Sequence, residues 1–238
     1  MIFIGDVHGK IKQYRALIRG LPEGAKSLQI GDMGIGFKGV SLYPAGSLLR
    51  GDHKFIRGNH DSPAACLAHK LYKGDWGYDA TEQLFYLGGA WSIDQNWRVE
   101  GVSWWRDEEL SYPELDRAYQ LYVRVKPRIV ATHEAPSRAA WHMLESLVGG
   151  GSHAPCPTDQ DMRLKGDEYA YYKQKLGCVN TRTSQALQRM FEEHQPEYWL
   201  FGHYHASRRF FLGKTEFQCL NELDTREIIL NKTPPSIV

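Results

Sequence analysis

Little in this chain points to a cross-linked or zinc-ribbon scaffold. Its four cysteines, Cys66, Cys156, Cys178 and Cys219, are far apart and form no CxxC pair, which argues against a redox motif, a structural zinc site or a disulfide framework. The chain also lacks any run of about 18 apolar residues that would span a bilayer. It opens on Met1-Ile2-Phe3-Ile4 with no basic segment followed by a long apolar one, so no secretory signal is expected and a reduced, cytoplasmic setting fits. A charge excess is missing too. The balance of 29 basic and 28 acidic residues, net +1, offers no general attraction to nucleic acid or to an anionic membrane. Arg208-Arg209 make too small a basic patch to change that, so stable nucleic-acid binding is not expected. Any phosphate chemistry must come from a local site.

What is present is a sequence of short apolar runs that stop at glycine or a polar residue. IFIG at 2–5 and SLQIG at 27–31 flank IKQYRALIRGL, whose Ile11, Tyr14, Leu17 and Ile18 have helical spacing, and the three together read as a βαβ unit. KFIRG at 54–58 is a third strand, followed by Ser62-Pro63 as the cap and first residue of a helix. LFYLGGAWSID from 84 and WRVEGVSWW from 97 are aromatic and β-branched and read as neighbouring strands, with a helix at about 109–122. RIVATH at 128–133 and YWLFGH at 198–203 are further strands, and RRFFL, EFQCL and REIIL close the chain with hairpin-like spacing. Between His133 and His203 lie the loop-forming GGGSHAPCPTD at 149–159, a Tyr-rich piece and a helix from about Thr183 to His194. There is no internal repeat. At 238 residues one domain, 1–238, is expected, with a lid-like loop and helix insertion at about 140–185.

The strand ends share a chemistry. Gly5-Asp6-Val7-His8-Gly9, Gly31-Asp32, Gly58-Asn59-His60-Asp61, Thr132-His133 and Gly202-His203-Tyr204-His205 each follow an apolar run. The carboxyl ends of parallel strands gather on one rim, where α/β folds bind ligands. Taken singly, an Asp or His after a strand is most often a turn or a packed residue. Five such segments together deliver more carboxylate and imidazole donors than one ion needs, without thiolate, which suits two divalent ions: Mn first, with Fe, Zn or Ni as alternatives. Ion pairs of this kind serve displacement at phosphorus.

In this order, GDVHG, GD, GNHD, TH and GHYH resemble the signature of the calcineurin-like metallophosphoesterases, from residue 2 to about 206. The resemblance implies an α/β (α+β) fold, a β-sandwich of two mixed sheets flanked by helices, with a dinuclear metal site at the carboxyl rim of the strands. It implies that Asp6, His8 and His205 hold one metal, that Asn59, His133 and His203 hold the other, and that Asp32 bridges them. His60 is similar to the family's catalytic histidine, and Asp61 supports the turn or an imidazole. The implied activity is phosphoester hydrolysis by attack of a metal-bridging hydroxide on a small organophosphate or nucleotide, monoester or diester. Protein Ser/Thr phosphatases of the superfamily read GDxVDRG and GNHE where this chain has GDMGIGF and GNHD, which demotes that alternative. A non-catalytic, metal-stabilised scaffold is the other alternative, disfavoured because every ligand position and His60 are filled.

Outside these motifs, Arg57 reads as a structural ion-pair partner, and Asp94 and Arg98, four apart around a turn, are expected to pair with each other. Trp104 and Trp105 alternate across an expected strand as core residues. Arg182, beside an expected Thr183 helix cap, and His153 in the glycine-rich loop are candidates for substrate contact, together with Asp159.

Overall fold

The computed structural model describes residues 1–40, 51–148 and 167–230. The predicted βαβ unit is present: β1 (Ile2–Ile4), α1 (Ile11–Arg19) and β2 (Ala25–Ile30), with β1 and β2 parallel. β3 (Gly51–Ile56) adds in parallel to β2, and α2 (Pro63–Leu67) follows, its first turn capped by Ser62, whose hydroxyl accepts from the Ala65 N–H. β4 (Trp76–Asp79) and β5 (Leu84–Leu87) form an antiparallel pair that begins a second sheet. α3 (Tyr112–Val125) starts at a capping box in which the Glu114 carboxylate accepts from the Ser111 N–H at 2.8 Å. β6 (Ile129–Thr132), α4 (Ser137–Val148), α5 (Asp167–Leu176), α6 (Arg182–Glu193) and β7 (Tyr198–Phe201) follow. β8 (Arg208–Leu212), β9 (Thr215–Cys219) and β10 (Thr225–Glu227) end the described chain.

Two mixed sheets result, in the orders β10-β1-β2-β3 and β4-β5-β6-β7-β9-β8. Alternation along each strand divides the side chains between an inner and an outer layer. Phe3, Leu28, Ile30 and Ile56 of the first sheet meet Leu84, Ile129, Ala131 and Leu200 of the second in the layer between them. Ile2, Ile4 and Phe55 turn outward under α1 and α2, while Phe85, Val130, Trp199 and Phe201 turn outward under α3, α4 and α6. Both faces of β1, β5, β6 and β7 are covered, which is why these strands are almost wholly apolar and not alternating.

Several expectations are corrected. WRVEGVSWW is not a strand: a single turn of 3-10 helix at Gln95–Trp97 is followed by turns and one isolated bridge, Glu100 to Trp104. It pairs with no strand of either sheet, and Trp104 and Trp105 are half-buried in a loop. RRFFL and EFQCL do form a hairpin, but the REIIL strand crosses to the other sheet and pairs with β1. α6 is capped by Thr181, whose hydroxyl accepts from the Ser184 N–H, and Thr183 lies inside the helix. α4, at the start of the expected insertion, is core, with Ala139, Ala140, Met143, Leu144 and Leu147 buried. Much of the remaining insertion, including His153 and Asp159, lies outside the described residues. Among the described residues no helix is long and apolar enough to cross a membrane.

Candidate metal centre

Parallel strands from both sheets end side by side, and the polar residues follow within four positions of the last strand residue. Asp6 follows β1, Asp32 follows β2, and Asn59 and His60 follow β3; His133 follows β6 and His203 follows β7. The site therefore lies where the carboxyl edges of the two sheets meet. Getting there strains the chain. His8, Asp32, His203 and His205 have φ of 46°, 57°, 69° and 51°, a left-handed backbone that costs a non-glycine residue about 1–3 kcal/mol and gathers at functional sites. Gly58 is required for closeness and not for φ: a Cβ there would lie 2.1 Å from Asp32 Oδ1 and 2.6 Å from His133 Nε2.

The side chains form two groups that share Asp32. In the first, ligand atoms of Asp6, His8, Asp32 and His205 all lie within 4.8 Å of one another. His8 Nε2 and His205 Nε2 face each other at 2.9 Å, and His8 Nε2 is 3.6 Å from both Asp6 Oδ2 and Asp32 Oδ2. In the second, His133 Nε2 lies 3.2 Å from Asp32 Oδ1 and 3.1 Å from Asn59 Oδ1, and His203 Nδ1 lies 3.0 Å from the same Asn59 oxygen. His133 Nδ1 donates to the Ile30 carbonyl at 2.9 Å, so a neutral His133 presents the lone pair of Nε2 to two oxygens. Asp6 Oδ2 is buried with no hydrogen-bond partner among the described residues. Buried acceptors that face acceptors need a cation between them, and oxygen and imidazole donors without sulfur suit a first-row divalent ion. The residues fit a metal.

The family model for calcineurin-like phosphoesterases matches residues 1–207. The chain belongs to that family. Its membership supports phosphoester hydrolysis as the chemistry, with divalent metal as the cofactor class. A similar solved structure is the phosphopantetheinyl hydrolase of Mycobacterium tuberculosis, 10% identical with a TM-score of 0.48, the match covering 93% of this chain and 89% of that one. No curated protein matches the chain.

In this phosphoesterase the charges of the centre are set by burial and by one another. Burial alone would raise the Asp32 carboxyl, but His133, His60 and His8 around it hold it well below the ordinary carboxylate range. Burial would lower His133, yet Asp32 and Asp6 outweigh it and push the imidazole up to about 9. His203 is driven well below its ordinary value by burial and by neighbouring Lys175 and His133. A proton on His133 thus does in the bare site what a cation does in a loaded one.

Behind the candidate ligands stands a second layer. Asn59 Nδ2 donates to Ser92 Oγ at 3.0 Å; Ser92 in turn donates from Oγ to Glu108 Oε2 at 2.6 Å and from its N–H to Glu108 Oε1 at 2.7 Å. This relay fixes which end of the Asn59 amide faces the histidines. Asp61 accepts from the N–H groups of Met33, Gly34, Ile35 and Gly58, so it ties the turn after β2 to the turn after β3. The Asp32 carboxylate accepts the His60 N–H at 2.7 Å. Buried Lys175 of α5 places Nζ 3.3 Å from His203 Nε2, with Glu134 Oε2 3.8 Å from that nitrogen. From the same helix, the Tyr172 hydroxyl donates to the His205 carbonyl at 2.9 Å.

All seven predicted ligands and His60 are brought together, with His60 edge-on to His8 at 4.9 Å between ring centroids. Arg57 is structural: Nε meets Asp75 at 2.5 Å, and Nη1 donates to the carbonyls of Asp107 and Glu108. Arg182 is not brought to the centre. Its guanidinium pairs with Glu109 at 3.7 Å and lies over the Tyr112 ring, because it opens α6 on the side where α3 begins. Asp94 and Arg98 do pair, at 2.8 Å, but the same Arg98 nitrogen also reaches His60 Nε2 at 2.5 Å. Sequence reasoning missed that contact, the Ser92–Glu108 relay, Glu134 and Lys175. Glu134 directly follows His133 in the sequence; the others carry no local signal.

Proposed function

We propose that this chain is a binuclear-metal phosphoesterase acting on a small organophosphate or nucleotide, with Asp6, His8, Asp32 and His205 holding one ion and Asp32, Asn59, His133 and His203 the other. The observation that carries this reading is the placement of Asp32. One carboxylate oxygen faces His133 and the other faces His8, which suits a ligand shared between two ions. Bound there, two divalent ions, Mn²⁺ first among them, would lower the pKa of a water and neutralise phosphoryl oxygens.

The chain's own residues do the rest. The turns tied together by Asp61 and the Ser92 relay hold the donors in place before substrate arrives. Hydrolysis breaks the bond between phosphorus and the leaving oxygen, and that oxygen must gain a proton. His60 is the half-buried side chain at the edge of the centre that would supply it as the imidazolium or, when neutral, would donate a hydrogen bond to that oxygen. Burial lowers its pKa to about 4, with Arg98 and His8 adding to the effect against Asp32, so it is a neutral imidazole at neutral pH. With Nε2 accepting from Arg98, the ring N–H sits on Nδ1. When neutral, His60 is accordingly a hydrogen-bond donor held in one tautomer.

The whole of 1–238 is read as one catalytic domain. The test is hydrolysis of bis-p-nitrophenyl phosphate and p-nitrophenyl phosphate by Mn²⁺-loaded protein, before and after chelation, with His60→Ala beside it. Loss of turnover on chelation, its return with Mn²⁺, and a fall of about 10²–10⁴-fold in His60→Ala support the reading. Metal binding with no turnover of either ester would favour a scaffold, and preference for phosphopeptides would favour a protein phosphatase.

A further inference from the structure

The segment from Trp91 to Glu108, which has almost no regular structure, touches the centre at two adjacent residues. Ser92 accepts from Asn59 and Arg98 donates to His60. A third contact fixes its far end, where the Trp105 ring lies edge-on to Phe37 at 5.4 Å. Phe37 belongs to the turn after β2, and its plane is within 19° of the His60 ring at 6.2 Å. The segment is therefore one wall of the site, and Arg98 is the cation it places against His60.

Arg98 differs from a structural arginine in what it is paired with. Arg57 has two backbone carbonyls and a carboxylate at 2.5–3.1 Å. Arg98 has one carbonyl, Ser103, at 3.3 Å, a carboxylate, Asp94, whose side chain is 48% exposed, and an imidazole nitrogen of His60. Its own side chain is only 9% exposed. A half-exposed carboxylate is screened by water, and an imidazole nitrogen is a weaker acceptor for a guanidinium than an anionic phosphoryl oxygen, whose geometry its forked N–H groups match.

We propose that Arg98 is a substrate-contacting residue: its guanidinium turns from His60 Nε2 onto a phosphoryl oxygen of the bound ester. This rests on the phosphoesterase reading for the place of the phosphoryl group, and its test does not depend on turnover.

The experiment is calorimetric binding of inorganic phosphate to Mn²⁺-loaded wild type, Arg98→Met and Arg98→Lys, with bound Mn²⁺ counted and thermal stability recorded for each. Arg98→Met keeps the stem that packs in the loop, and Arg98→Lys keeps the charge without the fork. The expected result is a loss of phosphate affinity of about 10-fold or more in Arg98→Met and a smaller loss in Arg98→Lys, with the metal count unchanged. Equal phosphate affinity in wild type and both variants, or no phosphate binding by wild type, overturns the assignment. Ester hydrolysis measured on the same samples separates the two ideas. Turnover with unaltered phosphate affinity removes Arg98 alone, whereas weakened phosphate binding without turnover keeps Arg98 and removes the enzymatic reading.

Discussion

The Asn59 amide nitrogen donates to Ser92 Oγ at 3.0 Å. An amide has two ends of similar size, and only the oxygen end can accept from His133 and His203 or bind a cation. Ser92, held by Glu108, makes the choice. Ser92→Ala removes the acceptor and frees the amide to rotate. The expected outcome in a Mn²⁺ titration is a loss of about 10- to 100-fold in affinity for one ion, with the ion at Asp6, His8 and His205 retained.

Gly58 lies against the shared ligand. A Cβ at this position would be 2.1 Å from Asp32 Oδ1, 2.5 Å from the Asp32 nitrogen and 2.6 Å from His133 Nε2. Backbone atoms cannot swing away as a flexible side-chain end does. Gly58→Ala is expected to cost ~1–3 kcal/mol by overpacking and to weaken both ions together, because the displaced carboxylate belongs to both groups. A urea melt and a Mn²⁺ titration on one preparation measure the two effects.

The rim was legible in the sequence because backbone geometry alone determines it. Where β1, β2, β3, β6 and β7 end, the next residues must lie near the sheet edge, and Asp6, Asp32, Asn59, His133 and His203 are those residues. The supporting contacts were not legible. Ser92, Arg98 and Glu108 sit in a stretch whose aromatic and β-branched content imitates a strand, and their places depend on how a loop docks on the β2 and β3 turns. No local periodicity encodes that docking. Lys175 looks like an ordinary surface lysine until α5 sets it against His203. The crossing of β10 to the first sheet was hidden for a related reason: three residues paired with β1 leave no pattern different from a hairpin arm.

Glu108 gives a pH signature separate from the metal ligands. Burial raises its carboxyl to about 7, against the hydrogen bonds from Ser92. A folded-state pKa above the unfolded value favours the protonated form in the fold, so this residue destabilises the protein progressively as pH rises from about 4.5 to about 7. The whole effect is on the order of 3 kcal/mol at 1.36 kcal/mol per unit. Metal-free wild type and Glu108→Gln, melted in urea at pH 5 and pH 8, should differ in pH dependence, with the wild type losing more stability at the higher pH. Identical pH dependence in the two proteins would contradict the assignment.

The central claim is that Asp32 is shared between two ions, and counting ions tests it directly. Metal-free protein is titrated with Mn²⁺ and the bound ion measured per chain in wild type, Asn59→Ala and Asp32→Ala, with bis-p-nitrophenyl phosphate hydrolysis followed at each step. The expected result is two ions in wild type, one in Asn59→Ala, and sharply weakened binding of both in Asp32→Ala, with turnover appearing only as the second ion fills. Saturation of wild type at one ion, or full turnover by the chelated protein, would contradict it.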